Sequence, residues 1–215
     1  MKSGLDGFNA IARQYDFLKQ LVFGKAIYQS QISFLTSIPN GCKILVIGGG
    51  SGEILPVLAE SCPEAEIWFI DASSEMLRIA GRRLSDTSPA KVRFIHGTEQ
   101  DLPDNILFNV VITNFFLDLF SDAKVRGLCT LISSKLSADG MWLVSDFVDG
   151  KKIWQRFLLW TMYRFFALAC HVEARRLPAW SDHIQWAGME EISSRLFFGG
   201  FIRSVLYKKK STRFG

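Results

Sequence analysis

The sequence has no cysteine pairs. Cys42, Cys62, Cys129 and Cys170 stand apart, with no CxxC among them and no spacing that suits zinc. Histidine is scarce, and His96, His171 and His183 are too scattered to make a metal signature, so no metal is expected. There is no long basic run. The net charge is only +4, and Lys208-Lys209-Lys210 reads as a solvated chain end, which disfavours nucleic acid as the main partner. The opening residues, Met1 to Asp6, lack the apolar core of a signal peptide. A cytoplasmic location is therefore expected, with the thiols free and buried in a reducing compartment. No linker or internal repeat divides the 215 residues, so the expectation is one domain over 1–215.

What the chain does have is aromatic mass and one glycine cluster. Its 18 Phe and 6 Trp exceed what a core of this size requires, and they suggest an apolar pocket, a partner surface, or both. Ile44-Leu45-Val46-Ile47 reads as a buried parallel strand, and Gly48-Gly49-Gly50-Ser51-Gly52 as the tight turn after it. Glycine accepts positive φ and lets a ligand approach the backbone closely. A dinucleotide fingerprint, G-x-G-x-x-G, would need glycine at Glu53, and the observed spacing is G-x-G-x-G. A helix is expected from Glu53 to about Glu60, and a second strand over Glu66 to Ile70 that ends at Asp71. An acid at that strand end, about twenty residues past the glycines, can accept hydrogen bonds from both hydroxyls of a ribose. Ser73 or Ser74 is expected to cap the next helix.

The remaining chain continues the alternation. Strands are expected over Lys91–Ile95, Phe108–Thr113 and Met141–Phe147, with a helix from Ser121 or Asp122 and a turn at Asp139-Gly140. Alternating β and α through five strands argues a doubly wound parallel sheet, whose ligands bind beyond the C-terminal strand ends. Asp71, Thr98, Asn114 and Asp146 fall at or just past those ends. The fold class is therefore α/β, a Rossmann-like sheet of six or seven mostly parallel strands, with a C-terminal antiparallel strand short or missing. Helical cover is expected from 1–40 and from an inserted apolar helix within 151–176, which is shorter than a membrane span and carries Arg156 and Arg164. That helix suits a cap over a pocket, with a membrane surface as its secondary partner. A short helix is expected over Ser181–Ala187. Met189–Phe198 reads as another helix, because Ile192 and Leu196 are four apart and Gly199-Gly200 suits a stop. Phe201–Tyr207 reads as the sixth strand.

Taken together, the chain resembles the class I S-adenosylmethionine-dependent methyltransferases over most of its length. Asp71-Ala72-Ser73-Ser74-Glu75-Met76-Leu77 is similar to that family's second motif, which implies ribose binding by Asp71 and adenine packing by Ala72 and Met76. The stretch Ile95-His96-Gly97-Thr98-Glu99-Gln100-Asp101-Leu102-Pro103 is similar to the G-D-A-x-x-L-P segment beside adenine. Phe108-Asn109-Val110-Val111 is similar to the F-D-x-V strand, and Leu136 to Gly140 to the L-x-P-G-G turn. The resemblance implies S-adenosylmethionine as cofactor, held by Gly48, Gly49, Gly50, Ser51, Gly52, Asp71, Ala72, Met76, Gly97, Thr98, Glu99, Asn114 and Phe115. Within the family, small-molecule enzymes of the ubiquinone and menaquinone type fit best, because Tyr15-Asp16 matches a Tyr-Asp pair common there. Three usual acids are replaced, by Val46, Thr98 and Asn109.

Methyl transfer needs in-line alignment of a nucleophile, and a dry aromatic site suits the dispersing positive charge. Phe115 and Phe116 are placed for that. Expected acceptor contacts are Tyr15, Phe116 and Trp160, and candidate bases are Asp146, His171 and His183, needed only if the acceptor arrives protonated. The expected acceptor is a small, largely apolar molecule. Two rivals stand beside it. A nucleic-acid methyltransferase is disfavoured because Asn114 is followed by Phe115-Phe116 rather than by prolines. A non-catalytic scaffold on the cofactor fold is the other.

Overall fold

A computed structural model describes residues 22–84, 88–150, 152–169 and 176–210. A short helix α1 (Ala26–Ile32) and a 3-10 turn (Leu35–Ser37) lead into β1 (Lys43–Ile47). There follow α2 (Leu55–Ser61), β2 (Glu66–Asp71), α3 (Ser74–Gly81), β3 (Lys91–His96) and β4 (Phe108–Asn114). Then come α4 (Asp122–Ser134), β5 (Leu136–Phe147), α5 (Ile153–Ala169), α6 (Trp180–Trp186), β6 (Met189–Phe197) and β7 (Ile202–Lys209). The expectation for Tyr15 lies outside the described residues, as do those for Cys170 and His171.

One sheet runs in the order β3-β2-β1-β4-β5-β7-β6. β1 to β5 are parallel neighbours, and β7 is antiparallel to both β5 and β6. The five central strands are apolar on both faces because helices cover both. On one face Ile44, Val46, Phe69, Ile112 and Leu143 pack against α2 and the 3-10 turn through Leu55, Leu58, Phe34 and Leu35. On the other, Leu45, Val111, Trp142, Val144 and Tyr207 pack against α4 and α6 through Leu128, Ile132, Trp180 and Ile184. A third cluster closes the C-terminal end of β5, where Phe147, Phe201, Ile202, Phe23 and Ile27 meet Leu158, Leu159 and Met162 of α5. Cys42, Cys62 and Cys129 are buried free thiols, and burial pushes the Cys62 thiol up to about 11 and Cys129 to about 12.

One expectation is corrected: residues 189–197 form a strand, not a helix. The strand expected over Phe201–Tyr207 is present as Ile202–Lys209, and it is this strand, at full length, that runs antiparallel, where a short or missing seventh strand was expected to. Ile192 and Leu196 do not mark a buried face, since both are half exposed or more. The ladder slips between Glu191 and Ser193, which leaves Ile192 without a register partner on this edge strand. Pairing with β7 decides the conformation, helped by a two-pronged Arg203–Glu191 contact at 2.6 and 2.7 Å. Near the start of β5, Phe108 pairs with Leu136 and Val110 with Met141, so the Asp139-Gly140 turn is a bulge inside the strand.

Candidate active site

The glycine turn leaves β1 between the C-terminal ends of its neighbours β2 and β4. Gly48, Gly50 and Gly52 all take left-handed backbone, with φ of +64°, +57° and +71°. Only glycine adopts that without strain. Two of the three also lack room for a side chain. A Cβ at Gly48 would strike the Phe116 ring, and one at Gly52 would come within 2.7 Å of the Ala80 Cβ. Gly50 is different, because a Cβ there meets nothing within 4 Å. The turn thus opens on free space at Gly50 and is packed shut behind it.

Asp71 holds that turn in place. One carboxylate oxygen accepts from the Gly50 N–H at 2.8 Å and the other from the Ser73 N–H at 2.8 Å. Burial pushes its carboxyl up from the usual range, and the two N–H donors and nearby His96 oppose the rise. Ser73 caps α3 by accepting from the Met76 N–H at 3.2 Å, and Met76 is buried. Ala72 is half-buried, and its carbonyl meets His96 Nε2 at 3.1 Å. Ser51 is buried within the turn.

Past β3, Thr98 caps a 3-10 turn over Glu99–Asp101, and its N–H donates to Asp101 at 2.8 Å. Gly97 is required locally, since a Cβ would come within 2.7 Å of Asp101. Glu99 leans toward Lys124 of α4 at 3.8 Å. At the end of β4 the Asn114 amide has no hydrogen-bond partner among the described residues and is half exposed. Phe115 takes φ of +51°, a conformation that costs a bulky residue about 1–3 kcal/mol. Its N–H is held by the Ser145 carbonyl at 2.7 Å, and its ring lies 4.9 Å from that of Phe147. Phe116 packs over Gly48 and beside Phe120.

Asp146 is fully buried at the end of β5. It accepts from the Leu117 N–H at 3.0 Å, the Asp118 N–H at 3.3 Å and the Phe147 N–H at 2.8 Å. Its carboxyl lies within hydrogen-bonding reach of the Asp118 carboxyl. Burial first, and then the charge of Asp118, raise Asp146 well above the ordinary carboxylate range, and burial raises Asp118 to about 7 against the opposing contact with Asp146. The Tyr163 hydroxyl of α5 is buried without a partner within electrostatic reach of both.

Sequence reasoning missed Asp118 and Tyr163. The signal for Asp118 was a lone acid inside Phe115-Phe116-Leu117-Asp118-Leu119-Phe120, while Tyr163 carries no signal of its own. His183 is corrected as a base candidate. It pairs with Asp122 at 3.1 Å, and Asp122 also accepts from the Ala179 N–H, so this contact fastens α6 to α4. Trp160, the expected acceptor contact, is 58% exposed on the outer side of α5, where it stacks on Phe157. Leu158, Leu159 and Met162 on the inner side of α5 pack against Phe147 at the end of β5.

A family model described as a methyltransferase domain matches residues 44–140, from β1 through the glycine turn into β5. Over that segment, which holds the glycine turn and Asp71, the match agrees with the resemblance to the class I S-adenosylmethionine-dependent methyltransferases. A demethylmenaquinone methyltransferase of Thermotoga maritima is 32% identical over 120 residues, covering 54% of this chain and 50% of that protein. The chain spans at most half the length of the curated relatives it matches. Among solved structures, a DhpI complex with S-adenosylhomocysteine aligns with a TM-score of 0.69 at 18% identity, covering 97% of this chain and 96% of that one. The mycolic acid cyclopropane synthase CmaA1, complexed with S-adenosylhomocysteine and CTAB, aligns with a TM-score of 0.66 at 12% identity, covering 85% and 84%. Likeness at those identities speaks for the fold.

The three acids usual in the family that this chain resembles are replaced here for local reasons. Val46 is 2% exposed within the apolar face of the sheet, where a carboxylate would have no partner. Asn109 accepts from the Lys43 N–H at 2.9 Å at the N-terminal end of β4, the opposite end of the strand from the glycine turn. Thr98 bonds within its own 3-10 turn.

Proposed function

We propose that the chain transfers the methyl group of S-adenosylmethionine to a small, largely apolar acceptor. The observation that carries this reading is the glycine turn tied by Asp71 and opening on free space at Gly50. That cradle has room where a Cβ would otherwise stand. Asp71 keeps lone pairs free to accept from two ribose hydroxyls, and the Asn114 amide is free to donate or accept. Bound S-adenosylmethionine would supply a methyl that is already electrophilic. The protein's share is to align an acceptor and keep water out.

An apolar acceptor is supported by what surrounds the end of β5. Phe115, Phe147 and Phe201 stand there with Leu158, Leu159 and Met162 above them, and apolar walls with few polar groups suit such a ligand. The outer side of α5 exposes Ile153, Trp154, Phe157 and Trp160 beside Lys152, Arg156 and Arg164, with no acid on the helix. That face suits an anionic membrane surface from which an apolar acceptor could be drawn. Among the described residues no helix is long and apolar enough to cross a membrane. A cytoplasmic site of action agrees with the buried free thiols.

Calorimetric titration with S-adenosylhomocysteine tests the cofactor. Methyl transfer from S-adenosylmethionine to a reduced demethylmenaquinone, compared with transfer RNA and bulk protein, tests the acceptor class. Binding and turnover on the quinol are expected. No binding would remove the enzyme reading, and turnover on RNA or protein alone would remove the acceptor class.

A further inference from the structure

Two carboxyl groups buried together without a cation cannot both be ionised at low cost. Among the described residues, Asp118 and Asp146 are such a pair. Asp146 spends both oxygens on three backbone N–H groups, which favour its charged form. Asp118 has one buried oxygen, Oδ1, with no partner. Arg203 stands directly across from Asp146 on β7, but its guanidinium is committed to Glu191 and Ser181. From α5 the one titratable group facing the pair among the described residues is Tyr163, whose hydroxyl is also buried without a partner. Two orphaned polar atoms in one buried cluster call for a missing polar group.

The pair lies at the C-terminal strand end from which the glycine turn also leaves. Asp118 is two residues past Phe116, which lies on Gly48 of the cofactor turn. Asp146 ends β5, next to Phe147 of the apolar wall.

Resting on the proposed methyl transfer, we propose that Asp118 and Asp146 share one proton and act together as the base of the reaction, receiving the hydroxyl proton of an acceptor that Tyr163 helps to hold. The acceptor's O–H bond breaks and its proton passes to the ionised carboxyl. The electron pair left on the acceptor forms the new bond to the methyl carbon. The carbon–sulfur bond breaks, and its electrons stay on sulfur as a neutral thioether. The pair then carries two protons and returns one to solvent. The single negative charge of the pair and the positive charge of the sulfonium cancel in this step. A low-dielectric site favours a step that removes separated charge.

The test uses the whole chain saturated with S-adenosylhomocysteine, with 4-nitrophenol as the probe, because its ionised form is coloured. At a pH one unit above the value of about 7 near which Asp118 titrates, so that the pair begins with one proton, the bound phenol is expected to keep the colour of the phenolate. Infrared difference spectra should show a matching gain of protonated carboxyl. Tyr163→Phe should weaken phenol binding about tenfold and leave S-adenosylhomocysteine affinity within about twofold. The double variant Asp118→Asn with Asp146→Asn should abolish the colour, and its cofactor affinity reports whether it is folded. If the double variant does not fold, the wild-type colour and the Tyr163→Phe result decide. The proposal is overturned if wild type binds the phenol uncoloured, fails to bind it, or keeps the colour in a folded double variant. Equal phenol affinity in Tyr163→Phe removes Tyr163 from it. Failure of S-adenosylhomocysteine itself to bind would instead strike at the methyltransferase reading.

Discussion

Replacing Asp71 by alanine should damage the apo protein and the cofactor site separately. In the apo protein the carboxylate holds two backbone N–H groups, Gly50 and Ser73, each at 2.8 Å. A hydrogen bond to a charged group contributes about 1.5–3 kcal/mol. Loss of both is offset in part, because burial already disfavours the ionised carboxyl. A net loss of about 2–4 kcal/mol follows, which for a chain of this length is a fall in Tm of about 5–15 °C. Asp71→Asn retains one acceptor oxygen and turns an amide donor against the other N–H, so it should fall between wild type and alanine. Cofactor affinity should drop further than stability alone explains, because two ribose hydroxyls lose their acceptor. A Kd for S-adenosylhomocysteine at least about thirtyfold weaker is expected. Thermal unfolding without ligand and calorimetry with ligand read the two effects apart. A lower Tm with unchanged affinity would make Asp71 a tether of the turn and not a ribose ligand. No change in either would refute the reasoning at its root.

Gly50→Val should abolish S-adenosylhomocysteine binding while the protein stays folded, since its side chain enters open space rather than packed neighbours and its cost is the +57° φ alone; normal binding would show that the turn faces no ligand. Stability should also depend on pH through the buried pair. Asp118 and Asp146 are both raised above their ordinary 3.8, so the native chain keeps protons that the unfolded chain has released. Stability is then fullest below the unfolded value and declines as pH rises toward about 7, where Asp118 titrates, by about 1.4 kcal/mol per unit for each proton retained. Urea unfolding between about pH 5 and about pH 7 should show that slope, and Asp118→Asn should flatten it. A wild-type curve with no slope in that window would mean the pair holds no proton.

The first five strands were legible because their signals are local and agree with one another. β2 ends at Asp71 as read, Ser73 caps α3 as read, and each parallel strand is an apolar run bounded by turn residues. β6 was not legible, since its apolar residues are exposed and its conformation is dictated by β7, which follows it in the chain. Period-counting assumes that apolar residues mark the buried face. On an edge strand with a bulge they need not. The outer face of α5 breaks the same assumption, with Ile153 85% exposed.

The site divides along a similar line. The cofactor half is built by backbone geometry, and geometry of that kind leaves a spacing in the sequence: glycines at alternate positions, an acid at the next strand's end, a serine cap behind it. The Asp118 and Asp146 half is built by contact between residues 28 positions apart, and contact leaves no spacing. What it leaves is a composition anomaly, one acid in a run of five apolar residues. An isolated acid in such a run is either turned to solvent or buried with a partner, and only the second costs enough desolvation to need a reason. Asp118 is 7% exposed, so the reason must lie in what faces it. Asp146 faces it from β5 and Tyr163 lies within electrostatic reach on α5, two elements that meet at the strand end where an acceptor would enter.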